Sequence, residues 1–269
     1  MACLDLSDSR HTATALSPLA SRIMNRRHFL GKTAALSTAF TGLTATAKFF
    51  AAETGSKKTN PVTKSINKLS VPADGKIPVA VCISEGVTLI DFAGPWEVFN
   101  NVMLPEREGD AQMPFDLYTV ADSTQAIHSG ALQLVPNFTF ENVSPPKIVV
   151  IPAQRGSDAL RNWLKEIYKT ADVTMSVCTG AFQLAKAGLL SGKSATTHHE
   201  FTDKLQKDFP DISVKRGLRF VQSTDKIATS GGLSSGIDLA LHVVERYFGR
   251  ATAERTAAYM EYQGRGWIV

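Results

Sequence analysis

The sequence predicts an α/β fold, a sandwich with a mainly parallel central sheet, and three observations carry that reading. From Ile77 onward, apolar β-branched runs alternate with helical patterns. The runs at 77–83 and 147–151 are apolar nearly throughout instead of alternating, as strands covered on both faces are, and a third run, mixing Val and Met with Thr and Ser, follows at 173–177. The third run ends at Cys178, and Thr179-Gly180 then opens an Ala/Leu-rich stretch reaching Gly188, the pattern of a strand, a sharp elbow and a helix.

The elements follow in order. A strand at 77–83 leads to a helix at 89–102, with Pro95 expected in its first turn, where a missing N–H costs nothing. Strands are predicted at 115–120, 132–135 and 147–151, and a helix at 158–169. After the strand at 173–177 and its elbow helix come a helix at 200–208 and short strands at 213–215, 219–223 and 226–229. Helices at 235–248 and 251–262 close the pattern, so that 77–269 reads as one domain without repeats.

Ahead of it, residues 53–76 are polar, lysine-bearing and poor in aromatics, and read as a linker. Residues 1–52 read as a leader. Asn25-Arg26-Arg27-His28-Phe29-Leu30-Gly31-Lys32 resembles the twin-arginine export motif, a mildly apolar stretch follows at 33–47, and Ala45-Thr46-Ala47 offers a small-x-small cleavage site. The expectation is therefore a periplasmic protein that meets the membrane only in transit. The apolar stretch is too short and too threonine-rich for a membrane span. The leader also accounts for the net charge of +4: it holds six Lys/Arg against two acids, and the remainder carries 23 of each. A neutral domain without a basic patch or zinc-finger spacing is not expected to bind nucleic acid.

Cys178 is the leading candidate for chemistry. A thiol at a strand end, just before a helix, stands where the partial positive charge of the helix N-terminus favours the thiolate. Cys82, between Val81 and Ile83, reads as an ordinary core residue, and Cys3 lies in the leader. A disulfide between Cys82 and Cys178 is not expected, because one partner is mid-strand.

Asp91 is an odd residue between Ile90 and Phe92. It is read either as the N-cap of the helix that Pro95 begins, or as a buried carboxyl with a raised pKa that hands protons to a thiolate. Glu97, further along the same helix, is expected to be exposed or capping. In Thr196-Thr197-His198-His199, the histidine pair is a poor metal site alone, and no other ligand spacing accompanies it. His198 is a candidate base or donor near the thiol; His199 reads as the start of a solvated helix. The glycine-rich turn from Thr229 to Asp238 lacks a P-loop ending and reads as close backbone packing beside the site.

With these residues on the page, the domain resembles the ThiJ/PfpI superfamily, relatives of the class I glutamine amidotransferases. The matching segments are VTLIDFAGPWEVF, SVCTGAFQLAKAGLLSGKSATTHH and SGGLSSGIDLALHVVERYFG. Within that superfamily it is most similar to the isonitrile hydratases and to the ligand domains of AraC-type regulators.

The resemblance implies a flavodoxin-like homodimer with a nucleophile elbow at Cys178, Asp91 as its acidic partner and Thr179 as a neighbouring hydroxyl. It implies a lyase adding water to a small electrophilic substrate, with neither metal nor organic cofactor. Alternatives are a glyoxalase-like hydratase of 2-oxoaldehydes, in which His198 matters more, and a periplasmic ligand or thiol-oxidation sensor. Supporting positions are Gly180, Ala153 and Gln154. The last two replace the Gly-Gly common after this strand in the superfamily, and so alter the backbone that builds its anion hole. Thr179 stands where peptidase-like members carry a histidine, which argues against a protease. No helix-turn-helix pattern follows the domain, so a DNA-binding regulator is not expected.

Overall fold

The computed structural model describes residues 68–72 and 75–268. The leader and most of the linker lie outside the described residues. Seven strands form one sheet in the order β10-β11-β7-β6-β1-β2-β5. They are Phe220–Gln222 (β10), Ile227–Ser230 (β11), Val173–Ser176 (β7), Ile148–Ile151 (β6), Ile77–Cys82 (β1), Phe115–Ala121 (β2) and Phe138–Thr139 (β5). All neighbours are parallel except the β10–β11 pair.

The apolar runs are explained by burial on two faces. In β1, Ile77, Val79 and Val81 enter one core, while Ala80 and Cys82 enter the other. The first core is shared with α1 (Leu89–Asn100), α5 (Ser235–Phe248) and α6 (Arg250–Tyr259); the second with α2 (Asp158–Ile167), α3 (Ala181–Lys186) and α4 (Thr202–Asp208). Period 2 survives in the strand but separates two apolar faces, not apolar from polar. Ser157 caps α2 by accepting the Leu160 N–H at 3.0 Å.

Several expectations are corrected. Pro95 lies inside α1, not in its first turn, so the carbonyl of Asp91 loses its usual helical donor. The N-cap is Thr88, and Asp91 sits in the first turn instead. The strand expected at 132–135 is β4 (Leu132–Leu134), which pairs with β3 (Ile127–Ser129) as a separate hairpin; β5 edges the main sheet in its place. Short alternating runs of this kind do not encode their partner. The residues at 213–215 likewise form β9 (Ser213–Val214), which pairs with β8 (Ser194–Ala195) outside the main sheet. From the stretch read as linker, Leu69 and Val71 pack on the first core, and the Leu69 N–H donates to the Arg246 carbonyl at 3.0 Å.

One close approach sets the scene for the site. A Cβ on Gly94 would meet Ile237 Cγ1 at 2.9 Å, and one on Gly236 would meet Val177 at 3.0 Å and Pro95 at 3.2 Å. The start of α5 therefore lies against α1 and over the end of β7.

Candidate active site

The order of strands reverses beside β1, with β2 on one side and β6 on the other, and such a switch point opens a crevice at the carboxyl ends of the strands. The loops after β1, β6, β7 and β11 meet there. Cys178 leaves β7 in the left-handed region, φ 59°, and begins a single 3₁₀ turn that feeds α3. A non-glycine residue holds that conformation only where its surroundings impose it. Two bonds do so here: the Cys178 N–H donates to the Gly231 carbonyl (2.9 Å), and its carbonyl accepts from the Thr197 hydroxyl (2.8 Å). Gly180 is obligatory, because a Cβ would stand 2.0 Å from the Ile151 carbonyl oxygen.

Asp91 comes from α1 with 0% of its surface exposed. Its Oδ2 accepts the Ala153 N–H at 3.1 Å, while no donor meets Oδ1 in hydrogen-bond geometry. Burial raises its pKa; the Ala153 N–H, the Cys178 thiol, the Leu233 N–H and the charge of His198 work against that rise. The N-cap reading of Asp91 thus gives way to a buried acid beside the thiol. Its partner behaves in kind. Burial first, then the Asp91 carboxylate, push the Cys178 thiol up to about 11, with the Thr179 and Leu233 N–H groups opposing. This corrects the expectation of a lowered thiol pKa: α3 is one short helix behind a 3₁₀ turn, and desolvation outweighs its end. Thiol and carboxyl together hold a proton that neither gives up easily. When the carboxyl has it, the thiolate is freed of a neighbouring charge and keeps two backbone donors.

Thr179 is half-buried next to Cys178, and its N–H favours the thiolate. His198 packs edgewise on Gly232, where a Cβ would come within 2.1 Å of its Cδ2, and its charge is felt by Asp91. His199 is exposed and its ring lies 4.4 Å from that of His198. Ala153 is turned to Asp91, and Gln154 Nε2 donates to the Cys82 carbonyl at 3.0 Å, away from the thiol. Cys82 is fully buried, burial pushes its thiol far up, and both it and Cys178 are free thiols. Glu97 is exposed and accepts from Asn101. Among the described residues, no group of three or more His, Cys, Asp or Glu is placed to hold a metal.

Two contributors escape sequence reasoning. Leu233, at φ 53° within the glycine-rich turn, carries a backbone N–H that favours the charged forms of both thiol and carboxyl. Buried Gln183 ties α3 to the loop after β6, donating to the Arg155 carbonyl (3.2 Å) and accepting from Arg161 (3.0 Å). A glutamine in an Ala/Leu helix was the only available hint for the second; backbone donors leave none.

Comparison with known proteins decides the family. The DJ-1/PfpI family model matches residues 78–246. This chain belongs to the DJ-1/PfpI family. Across 182 residues it is 31% identical to an isonitrile hydratase of Pseudomonas putida, covering 65% of this chain and 74% of that protein. A ThiJ/PfpI family protein from Pseudomonas syringae superposes with a TM-score of 0.60 at 26% identity, over 78% of this chain and 84% of the other. An AraC family transcriptional regulator from Pseudomonas putida gives 0.59 at 17% identity, over 68% and 99%, and shares the fold. An isonitrile hydratase is thus among the relatives of this chain, and a transcriptional regulator shares its fold.

Proposed function

We propose that this protein is an exported, cysteine-dependent hydratase of the isonitrile type, with Cys178 as nucleophile and Asp91 as proton carrier. The observation that carries the reading is the buried acid set directly beside a thiol in a left-handed elbow. Thiolate attack on the terminal carbon of an isonitrile forms the S–C bond and builds negative charge on that same carbon, adjacent to the sulfur. Asp91 delivers its proton there, giving a thioimidate, and is left as the carboxylate. A water then attacks the carbon, giving one proton to the Asp91 carboxylate; the C–S bond breaks with the electron pair returning to sulfur, and the remaining hydroxyl proton passes to the nitrogen. Water has been added in total, and the N-formamide leaves. The Ala153 N–H, committed to Asp91, supports this chemistry over acyl transfer, where an oxyanion would require a free donor.

Turnover of an aryl isonitrile, followed as N-formamide by chromatography, tests the reading with wild type beside Cys178→Ala. Formamide from wild type alone is expected; none from either protein overturns it. A glyoxalase-like hydratase is the second reading, favoured by His198 lying within reach of Asp91's charge. In that case His198→Ala abolishes turnover of a 2-oxoaldehyde. Export to the periplasm and a homodimeric state belong to the same proposal, read out by cell fractionation and light scattering.

A further inference from the structure

The two left-handed residues of the site, Cys178 and Leu233, sit on different loops, and one guanidinium ties the second loop down. The Gly231 carbonyl that receives the Cys178 N–H belongs to a residue whose own N–H donates to the Arg219 carbonyl at 2.9 Å. The side chain of Arg219 then spans the other end of that loop. Its Nε donates to Asp238 Oδ2 at 2.5 Å and its Nη2 to Ser234 Oγ at 3.2 Å. Asp238, in the first turn of α5, is 1% exposed, and its Oδ1 accepts from the Tyr262 hydroxyl at 3.1 Å. Gly266 seals the pair: a Cβ there would stand 2.7 Å from Arg219 Cγ and 2.8 Å from Asp238 Oδ2.

This cluster is not what fastens α5 to the sheet. The fully buried Leu239, Ala240, Leu241, Val243 and Val244 do that. What the cluster fixes is the segment between Gly231 and Ser235, in which Leu233 adopts φ 53°. A leucine stays in that region only when neighbours on both sides leave it no alternative. Gly231 is held from one side and Ser234 from the other, both by Arg219.

We propose that Arg219 and Asp238, closed over by Tyr262 and Gly266, are positioning residues that hold the loop from Gly231 to Ser235, and with it the Leu233 N–H, against the Cys178 elbow, to which the Gly231 carbonyl is bonded. The proposal rests on Cys178 being the reacting thiol and is independent of which electrophile it meets. Asp91 from α1 acts on that thiol, and His198 from the loop after β8 acts on Asp91, so neither is altered in the test.

The test is the pH dependence of Cys178 carboxamidomethylation by iodoacetamide, mapped by peptide mass on the full chain. Asp238→Asn and Arg219→Lys are expected to raise the apparent pKa of alkylation by about one, leaving about tenfold less thiolate at neutral pH. Ser234→Ala shifts it in the same direction by less. Folded Asp238→Asn and Arg219→Lys proteins with the wild-type profile overturn the proposal. If Asp238→Asn does not fold, Arg219→Lys and Ser234→Ala carry the same expectation and the same refutation. A wild-type Cys178 that fails to alkylate at any pH refutes the thiol reading itself, and the proposal with it.

Discussion

Gly180→Ala is the sharpest probe of the elbow. The added methyl would stand 2.0 Å from the Ile151 carbonyl oxygen and 2.9 Å from the Pro152 oxygen, both backbone atoms that cannot swing aside. The nearer contact is about 1.4 Å inside the onset of ordinary van der Waals distance. The Ile151 carbonyl also accepts the Val177 N–H at 2.9 Å, so any retreat breaks a bond that joins β6 to the elbow. Overpacking of this kind costs up to about 3 kcal/mol. For a domain of this size that is a fall in Tm of about 6–12 °C. A thiol displaced by about 1 Å loses roughly 100-fold in rate. Differential scanning calorimetry and Cys178 alkylation measure the two effects. Gly188→Ala is the control, since Gly188 has φ +75° with nothing within 4 Å of a Cβ; it costs about 1 kcal/mol and leaves the thiol alone. A Gly180→Ala protein that melts and alkylates like wild type would refute the packing argument.

Asp91→Asn lowers isonitrile turnover by about 10²–10⁴-fold while the fold survives, as N-formamide assays and circular dichroism would show. The same variant reports linkage. Because burial raises the folded-state pKa of Asp91, its protonated form stabilises the fold at low pH and that stability fades as pH rises through the raised value. Asp91→Asn therefore gains in Tm relative to wild type as pH rises above the ordinary carboxyl value of 3.8, and a constant gap would contradict the raised pKa. His242 is buried with both ring nitrogens unpartnered, and burial pushes its pKa down to about 3. Its contribution is present above the ordinary value of 6.5 and is lost as pH falls toward 3, so His242→Leu flattens acid unfolding across that window in urea titrations. Ser157→Ala removes the α2 cap and a 2.7 Å bond to Asp122, and costs about 1 kcal/mol in the same titrations.

Much of the fold was legible because double burial writes itself into β1 and β6 as unbroken apolar runs. Where elements are two or three residues long, as in β4, β5, β8 and β9, the runs carry too little pattern to name a partner. Pro95 shows the limit of a local rule. Proline favours a first turn in general, yet here packing against Gly236 holds it inside α1. Asp91 was marked by its chemistry as out of place, but two local explanations fitted it equally well. Gln183, Leu233 and Arg219 act through contacts that no local spacing expresses.

The sequence by itself determined the α/β class, the strand–elbow–helix at Cys178 and the oddity of an acid in an apolar run, because each depends on neighbours along the chain. Tertiary structure alone decided that Asp91, reaching 62 residues ahead to Ala153, would meet the thiol, and that Leu233 would supply a donor there. It also decided the direction of both pKa shifts. Those depend on burial and on which loops the strand order gathers at one edge of the sheet, and neither quantity is carried by any single stretch of residues.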